Sequence, residues 1–369
     1  RDMTSKLKIV SDVNICDVSE LFGRYGDIKF LSGRNIDRSD VTQADALLVR
    51  TITRVNRELL EHTSVRFVGS ATSGIDHIDV PYLKTNNIFL AHSPGSNANA
   101  VVQYDLSVFA NLKPEWRTST IGIIGCGKVG GRLHALLKKL NVKLRVYDPF
   151  LTKAQVAELT DLNKVLKSDI VCVHTPLTHS GQFPTANLLD EQKINTLSPG
   201  TLLVNAGRGG VVDEAALARR LDSKNDISVA FDVWDSEPLI NLSLMSKLNI
   251  ATPHIAGYTF EAKKQASQML LDAFLLWQGK KSPSRDIKLK EKIIDLGQGD
   301  EAMNDLILAC YDVSRDDKAL RHAMSEENFG VGFDYIRNEY PFRHDFQYYS
   351  VRSSHRQLSE LRALGFKSI

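Results

Sequence analysis

The sequence predicts an α/β protein built around a doubly wound parallel sheet, with a smaller α/β domain before it and a third region after it. In the middle of the chain, short β-rich runs alternate with amphipathic helical patterns, which is typical of a parallel sheet. The N-terminal part repeats this alternation more weakly. A stretch containing charge, serine and proline, Gly279 to Asp286, separates the last part of the chain from the rest.

The size and composition of the chain limit the possible functions. Its 369 residues, 43% of them hydrophobic, can bury a large core and should divide into two or three domains. The net charge is +2 and basic residues are interspersed with acidic ones, so we expect no nucleic-acid partner. No apolar run reaches the ~18 residues that a membrane span needs, so no membrane partner is expected either. Four widely spaced cysteines without C-x-x-C pairing favour a reducing cytoplasm, and we predict no metal site.

The elements of the N-terminal part are predicted from short apolar runs bounded by turn residues. The strand candidates are KIVSDV, ADALLVR, VRFVGSA and NIFLAH, and NRELLEH is a helix between two of them. After the turn at Pro94-Gly95, the segment NANAVVQYDLSVFANL is long enough for a helix that links the first two domains.

The central part supplies six further strand candidates and the clearest helices. The strands are STIGIIG, KLRVYD, DIVCVHT, TLLVNA, ISVAFDV and LNIATP. The segment RLHALLKKL has leucines at i, i+3, i+4 and i+7, which predicts one apolar helix face. The segment DEAALARRL opens with Asp213 as a helix N-cap.

The motif GCGKVG is the sharpest local signal for a cofactor, because it lies between the strand IGII and an amphipathic helix. Gly125 allows a tight turn, Gly127 lets the backbone approach a pyrophosphate, and Gly130 lets the helix pack on the strand. Asp148 closes the next strand, where it would accept hydrogen bonds from ribose hydroxyls and repel a 2′-phosphate. The sequence therefore predicts NAD as the cofactor.

Polar residues follow several successive strands, at the sheet edge where ligands of parallel sheets bind. Three of them have a plain structural alternative. Arg208 could form a salt bridge within its loop, Glu237 could be a solvated turn residue before Pro238, and His254 could have a structural role. Their joint placement after neighbouring strands favours one composite site. The residues are Thr175, Arg208, Asp232, Glu237 and His254.

The segments NAGRGGVVD, DVWDSEP and PHIAGYT, with GCGKVG upstream and ATSGIDHID near the start, resemble those of the D-isomer-specific 2-hydroxyacid dehydrogenases. The resemblance implies an NAD-binding domain inserted in a smaller, flavodoxin-like α/β substrate domain. The implied boundaries are 6–96 for the first part of the substrate domain, 97–256 for the NAD-binding domain, 257–280 for a return helix, and 286–369 for a C-terminal α+β domain.

The resemblance also implies the roles of the site residues. His254 matches the general acid/base, Glu237 the acid paired with it, and Arg208 the catalytic arginine, which anchors the substrate carboxylate and polarises the reacting oxygen. Glycine at position 74 permits close approach of backbone N–H groups to that carboxylate. The implied cofactor contacts are Thr175, Asp232 and Gly257, and the implied substrate contacts are Arg50, Thr51, Thr72, Ser73, Gly74 and Tyr258.

One branch of this family is matched more closely, through ADALLVRTITRVN, HIAGYT, YDVSRDDKALR and FDYIRNEY. That branch oxidises a phosphorylated four-carbon 2-hydroxy acid in bacterial pyridoxal phosphate synthesis, and its C-terminal domain forms a homodimer. We hypothesise that Arg50 binds the substrate phosphate; the alternative is an arginine that extends from a strand end into solvent. Arg337 and Arg343 are candidates to reach a partner's site across such a dimer. His77 is interpreted as structural.

The chain departs from the family in the linking helix, where relatives commonly read V-V-E-Y. Here Gln103 replaces the glutamate, and an acid stands at Asp105 instead.

Two other functions compete with the one above. The first is another 2-hydroxyacid dehydrogenase, of the phosphoglycerate or glyoxylate type. The second is a non-catalytic protein that senses NAD(H) and binds other proteins, against which the distinctive tail and the lack of a Pro/Ser-rich extension argue.

Overall fold

The computed structural model describes residues 6–282, 291–295, 300–325, 329–341, 343–352 and 358–369. These residues form two compact units. The first contains the described residues up to Asn97 together with those from Phe260 to 282. The second contains Ala98–Thr259 together with the described residues from 291 onward. The described C-terminal residues therefore belong to the same unit as the segment with the glycine-rich motif.

The first unit is built on a five-stranded sheet in which every strand pairing is parallel, in the order β2-β1-β3-β4-β5. All four predicted strands are confirmed. The sequence missed β2, an edge strand whose charged and partly exposed side chains resemble those of a loop. The strands are β1 (Leu7–Asp12), β2 (Gly26–Leu31), β3 (Ala46–Val49), β4 (Phe67–Ser70) and β5 (Phe89–His92).

The second unit contains a six-stranded parallel sheet with the order β11-β10-β9-β8-β6-β7. All six predicted strands are confirmed, and the doubly wound fold class with them. β6 lies between β7 and β8, so the strand order reverses there, and this is the point where an open α/β sheet leaves a crevice at its carboxyl edge. The strands are β6 (Thr120–Ile124), β7 (Lys143–Tyr147), β8 (Ile170–Val173), β9 (Leu202–Asn205), β10 (Ser228–Phe231) and β11 (Ile250–Ala251).

The described C-terminal residues add a small parallel sheet and several helices. The sheet has the order β12-β13-β14, with β12 (Lys292–Asp295), β13 (Tyr349–Arg352) and β14 (Lys367–Ser368). The helices of the described chain, in order, are α1 (Val18–Phe22), α2 (Arg38–Val41), α3 (Arg57–Leu60), α4 (Val80–Thr85), α5 (Ala98–Leu112), α6 (Lys128–Lys139), α7 (Leu162–Val165), α8 (Glu191–Thr196), α9 (Glu214–Ser223), α10 (Leu242–Lys247), α11 (Phe260–Trp277), α12 (Asp300–Cys310), α13 (Ser314–Met324), α14 (Phe329–Asn338) and α15 (Leu358–Leu364).

Local sequence explains where two of the predicted helices begin. Asp213 caps α9 by accepting the backbone N–H of Ala216 at 2.9 Å, as predicted. Asn56 does the same for the first turn of α3, with Leu59 N as the donor at 3.1 Å. Side-chain acceptors of this kind satisfy N–H groups that the helix itself leaves unbonded.

Alternate residues of the central sheet pack on its two faces. Ile121, Ile123 and Val204 join a core that includes α5, α6 and α12, whereas Val171 and Leu203 join the core on the opposite face. Because α12 comes from the C-terminal region, that region shares a hydrophobic core with the central sheet. Within the described residues, no helix combines the length and apolar character that crossing a membrane requires.

Candidate functional site

The glycine-rich turn after β6 has the shape of a phosphate cradle. Gly125 has a φ of 87°, in the left-handed region that glycine adopts without strain. A Cβ on Gly130 would lie 1.9 Å from the carbonyl oxygen of Gly125, so only glycine lets α6 begin this close to the turn. A Cβ on Gly127, the N-cap of α6, would meet no atom within 4 Å. This open space at a helix N-terminus suits a pyrophosphate group.

Asp148, directly after β7, is tied to the same turn. Its Oδ2 accepts the backbone N–H of Cys126 at 2.9 Å, and its Oδ1 accepts that of Phe150 at 3.0 Å. Each carboxylate oxygen keeps a second acceptor position, which ribose hydroxyls can use. The structure thus gives Asp148 a loop-anchoring contact that the sequence did not indicate. Its contact with ribose stays a prediction.

Thr175 supports the fit of the turn to a dinucleotide. Its methyl group borders Gly125, where an added Cβ would approach it to 2.8 Å. Its hydroxyl oxygen is buried and has no hydrogen-bond partner among the described residues. Buried hydroxyls are normally satisfied, so an unsatisfied one at this turn is the kind of group that a bound cofactor completes. The residues present therefore fit NAD.

Arg208 follows β9 in a loop that is fixed by its own hydrogen bonds and by packing against a neighbouring loop. Asn205, the last residue of β9, donates from Nδ2 to the Arg208 carbonyl at 3.1 Å, and Arg208 Nη1 donates to the Gly207 carbonyl at 2.8 Å. A Cβ on Gly209 would lie 1.9 Å from the carbonyl oxygen of Trp234. The loop after β9 therefore packs backbone to backbone against the loop that leads to Glu237.

The structure brings His254 and Glu237 together. His254 Nδ1 lies 2.8 Å from Glu237 Oε2, and Glu237 Oε1 accepts the backbone N–H of Trp234 at 3.0 Å. Both side chains keep access to solvent, with 26% of His254 and 20% of Glu237 exposed. Burial alone would raise the pKa of Glu237, but the charge and hydrogen bond of His254, together with the charge of Arg337, hold that pKa below its ordinary value. Glu237 is therefore an ionised carboxylate that orients the histidine ring.

The backbone at His254 is unusual, because its φ of 56° lies in the left-handed region. Such a conformation costs a non-glycine residue about 1–3 kcal/mol and persists where surrounding contacts impose it. Here the His254 N–H donates to the Asp232 carbonyl at 2.7 Å. The Asp232 carboxylate accepts the N–H groups of Ile255 and Ala256 at 2.8 and 2.9 Å and the hydroxyl of Thr252 at 2.7 Å. Asp232 thus holds the loop that presents His254, while its contact with the cofactor stays a prediction.

The linking helix places its unusual acid against β8. Asp105 Oδ2 lies 2.8 Å from Nε2 of His174, and both side chains are fully buried. Burial raises the pKa of Asp105 above its ordinary value despite the neighbouring His174 ring. Because Thr175 is the next residue, this pair fixes the end of the strand beside the cofactor turn. Gln103 is also buried.

The predicted substrate residues of the first unit lie at the carboxyl edge of its own sheet. Arg50, after β3, donates from Nε to Asp12 Oδ2 at 2.9 Å, and the Asp12 carboxylate is fully buried. The hydroxyl of Thr72, after β4, donates to the Gly74 carbonyl at 2.9 Å and lies 2.6 Å from the Ser70 hydroxyl. The other predicted residues there are Thr51, which follows Arg50, and Ser73, whose hydroxyl accepts the N–H of Gly95 at 3.1 Å.

His77 is bonded within this first-unit edge. Its Nε2 lies 3.0 Å from the hydroxyl of Ser70, and its carbonyl accepts the N–H of Val55 at 2.9 Å. These contacts tie the loop after β4 to the loop after β3. They suit the structural interpretation that the sequence favoured.

Two arginines of the C-terminal region contact the loop that carries Gly257 and Tyr258 in the same chain. Arg337 Nη2 donates to the Tyr258 hydroxyl at 3.2 Å. Arg343 donates to the carbonyls of Ala256 and Ala100 at 3.3 and 2.6 Å. The sequence had raised both arginines only as residues that reach a partner subunit. One feature of the sequence does indicate that Arg337 is buried in its own chain: it lies on the apolar face of α14, one turn after Phe333.

Comparisons with known proteins agree with this geometry. Residues 101–256 match the family described as the D-isomer specific 2-hydroxyacid dehydrogenase, NAD binding domain, and residues 283–365 match a domain of unknown function. Proteins named erythronate-4-phosphate dehydrogenase are similar to this chain over nearly its whole length. That of Teredinibacter turnerae is 43% identical, covering 98% of both chains, and that of Cellvibrio japonicus is 40% identical, covering 98% of this chain and all of the relative.

Solved structures show the same fold at lower identity. D-lactate dehydrogenase from Aquifex aeolicus, complexed with NAD and lactic acid, superposes with a TM-score of 0.65 at 20% identity, covering 74% of this chain and 96% of that one. The NAD-bound 3-phosphoglycerate dehydrogenase of Entamoeba histolytica gives 0.61 at 22% identity, covering 75% and 97%. Both solved chains are matched almost completely, whereas a quarter of this chain extends beyond the match.

Proposed function

This chain belongs to the erythronate-4-phosphate dehydrogenases within the D-isomer-specific 2-hydroxyacid dehydrogenases, and from that membership we propose its substrate, site and assembly. It is an NAD-dependent dehydrogenase. The proposed reaction converts 4-phospho-D-erythronate to 3-hydroxy-2-oxo-4-phosphobutanoate, a step of pyridoxal 5′-phosphate synthesis. The observation that carries the proposal is the 2.8 Å contact between His254 and Glu237, beside the loop of Arg208.

The proton transfer is assigned to His254. Because Nδ1 faces the ionised Glu237 carboxylate, the neutral ring carries its proton on Nδ1, and Nε2 is the nitrogen that accepts a proton. Nε2 takes the proton of the substrate C2 hydroxyl, and Glu237 stabilises the resulting imidazolium. NAD, held by the turn after β6 when bound, would supply the acceptor for the hydride of C2. The products of the oxidation are therefore the 2-oxo acid, NADH and one proton.

Arg208 is assigned the substrate carboxylate and the developing carbonyl. An arginine guanidinium carries a positive charge and offers a planar set of donors. The loop that holds it packs against the loop leading to Glu237, as the contact at Gly209 requires. The arginine assigned to the substrate carboxylate and the Glu237–His254 pair therefore lie on neighbouring loops at one edge of the sheet.

The phosphate is assigned to Arg50, with Thr51, Thr72, Ser73, Gly74 and Tyr258 as further substrate contacts. The bond from Arg50 Nε to the buried Asp12 fixes the orientation of the guanidinium. Phosphate binding would then use the other donors of the planar fork. Arg50→Lys should raise KM for 4-phospho-D-erythronate about tenfold and leave kcat/KM for D-erythronate, which lacks the phosphate, unchanged. Equal losses on both substrates would remove the assignment.

An isotope experiment tests the reaction itself. Deuterium placed at C2 of 4-phospho-D-erythronate should appear in NADH, giving a product heavier by one mass unit, because the hydride leaves C2. Deuterium at C3 of the same compound is the matched control and should stay in the oxo acid. Absence of NADH with this substrate, alongside NAD binding, would favour another 2-hydroxyacid dehydrogenase activity or an NAD(H)-sensing role.

We further infer a homodimer formed through the C-terminal region, in a reducing cytoplasm. Val331 and Tyr335 lie four residues apart on the outer face of α14 and are 62% and 65% exposed. Exposed apolar side chains at this spacing form a stripe that a second copy can cover. The four cysteines are free thiols, as a reducing compartment allows.

Charge substitutions test the dimer. Tyr335→Asp should shift the sedimenting species toward the monomer. Leu276→Asp, at another exposed apolar side chain, should not, because Leu276 lies on α11 in the other unit. A mass unchanged by Tyr335→Asp would place the interface elsewhere.

A further inference from the structure

The C-terminal region places a buried arginine, Arg337, next to the loop that carries Gly257 and Tyr258 in the same chain. Arg337 belongs to the last turn of α14 and is only 7% exposed. Its guanidinium carbon lies 5.9 Å from the ring centres of both Tyr258 and Phe333, and its Nη2 donates to the Tyr258 hydroxyl at 3.2 Å. A buried arginine needs partners that compensate for lost hydration, and here one of these partners, Tyr258, belongs to the proposed site.

The hydrogen bond fixes the direction of the Tyr258 hydroxyl. A guanidinium can only donate, so the tyrosine oxygen is the acceptor in this contact. The hydroxyl hydrogen must then point away from Arg337. Tyr340, whose ring packs edge-on against Tyr258 at 5.7 Å, further restricts the ring. The hydroxyl hydrogen of Tyr258 is thereby directed to an acceptor other than Arg337.

The same cation acts on the acid of the acid/base pair. Burial by itself would raise the pKa of Glu237, and after His254 the positive charge of Arg337 contributes to keeping that pKa low. Burial would lower the pKa of Arg337, but Tyr258 and Glu237 raise it, so the arginine stays charged. Asp334 on α14 also raises the pKa of Arg337 and so helps to keep it charged. The neighbouring acid that opposes ionisation of Glu237 is Glu214 on α9, whose own pKa is raised by burial and by the charges of Asp235 and Glu237.

We propose that Arg337 is a positioning residue of the active site in its own subunit, directing the Tyr258 hydroxyl toward the substrate and placing a buried positive charge beside the loop that leads to His254. The proposal rests on the proposed function. It gives the domain of unknown function, residues 283–365, a part in arranging the active site in addition to any part in assembly.

Three variants of the full-length, NAD-loaded enzyme separate the two effects. Arg337→Met removes the charge, so the coupled His254–Glu237 pair should take up a proton at higher pH, and the acid limb of the kcat/KM profile should move up by about one pH unit. Arg337→Lys keeps the charge and should restore the acid limb. Tyr258→Phe should raise KM about tenfold while leaving the acid limb unchanged, because it removes a donor and no charge.

A measurement that does not depend on turnover keeps the proposal falsifiable. Titration of the Glu237 carboxyl carbon by NMR, in the wild type and Arg337→Met, should show the same upward shift of its pKa. A folded Arg337→Met protein with unchanged Glu237 titration and unchanged acid limb would overturn the proposal. If the wild type fails to oxidise 4-phospho-D-erythronate, the proposed function fails, but this titration still decides the role of Arg337. Should Arg337→Met not fold, the Arg337→Gln protein serves for the same two readouts.

Discussion

Two glycines of the turn after β6 should fail in different ways when each is replaced by alanine. At Gly130 the new Cβ would lie 1.9 Å from a backbone oxygen of Gly125 and 3.2 Å from a side-chain carbon of Ile123. Ordinary contact begins at 3.4 Å, so the helix or the turn must shift by about 1.5 Å. Because the obstacle is backbone, we expect the upper end of overpacking costs, ~3 kcal/mol, and a Tm lower by roughly 6–12 °C.

Gly127→Ala makes no such collision. No atom lies within 4 Å of the added Cβ, so the free energy of unfolding should fall by only ~1 kcal/mol or less, well below the change at Gly130. The methyl group instead occupies the open space where the pyrophosphate is expected. Affinity for NADH should therefore fall tenfold or more, about 1.4 kcal/mol.

The assay pairs thermal unfolding of the cofactor-free protein with NADH binding by calorimetry. Gly131→Ala, one residue after Gly130 on α6, is the matched control, because its Cβ would come no closer than 3.3 Å to any neighbour. It should nearly preserve both stability and binding. The assignment of this turn to the cofactor would be refuted if Gly127→Ala bound NADH as the wild type does, or lost stability as Gly130→Ala does.

Three further outcomes are expected. His254→Ala should lower turnover ~10²-fold or more while NAD still binds, because only proton transfer is lost; unchanged turnover would contradict its assignment. Asp148→Ala should weaken NAD binding and reduce discrimination against NADP, measured as two dissociation constants; continued exclusion of NADP would assign the ribose contact elsewhere. Glu158 should stabilise the fold by ~1 kcal/mol above about pH 4.5, because hydrogen bonds from His134 and Lys138 lower its pKa to about 2 while solvent screens much of their effect. The stability difference from Glu158→Gln should vanish as pH falls through that interval, and a pH-independent difference would disprove this linkage.

The sheets could largely be predicted from the sequence, because buried parallel strands are short apolar runs. TLLVNA and DIVCVHT are of this kind, and both became central strands. GDIKFL did not stand out, since an edge strand tolerates charges that interrupt the pattern. The strands of the C-terminal sheet are also short and far apart in sequence, so they were not predicted. The packing of the C-terminal region on the central core depends on long-range contacts, which a local sequence pattern does not indicate.

The site was predictable where its chemistry lies at strand ends. Arg208, Glu237 and His254 follow successive strands, and parallel topology gathers such residues at one edge. The supporting contacts were not predictable in this way. Asp232 anchors the loop of His254, and Arg337 reaches Tyr258 across 79 positions of sequence, so both roles appear only once the chain is folded.

The most direct test of the account compares 4-phospho-D-erythronate, 3-phosphoglycerate and glycerate as hydride donors to NAD. NADH and the 2-oxo product are both followed, with a 2-oxo acid acceptor supplied in parallel so that bound cofactor can turn over. We expect a kcat/KM for the four-carbon phosphate at least a hundredfold above the others, ~3 kcal/mol of selectivity. Equal or better use of 3-phosphoglycerate, or no oxidation of any of the three by a protein that binds NAD, would contradict it.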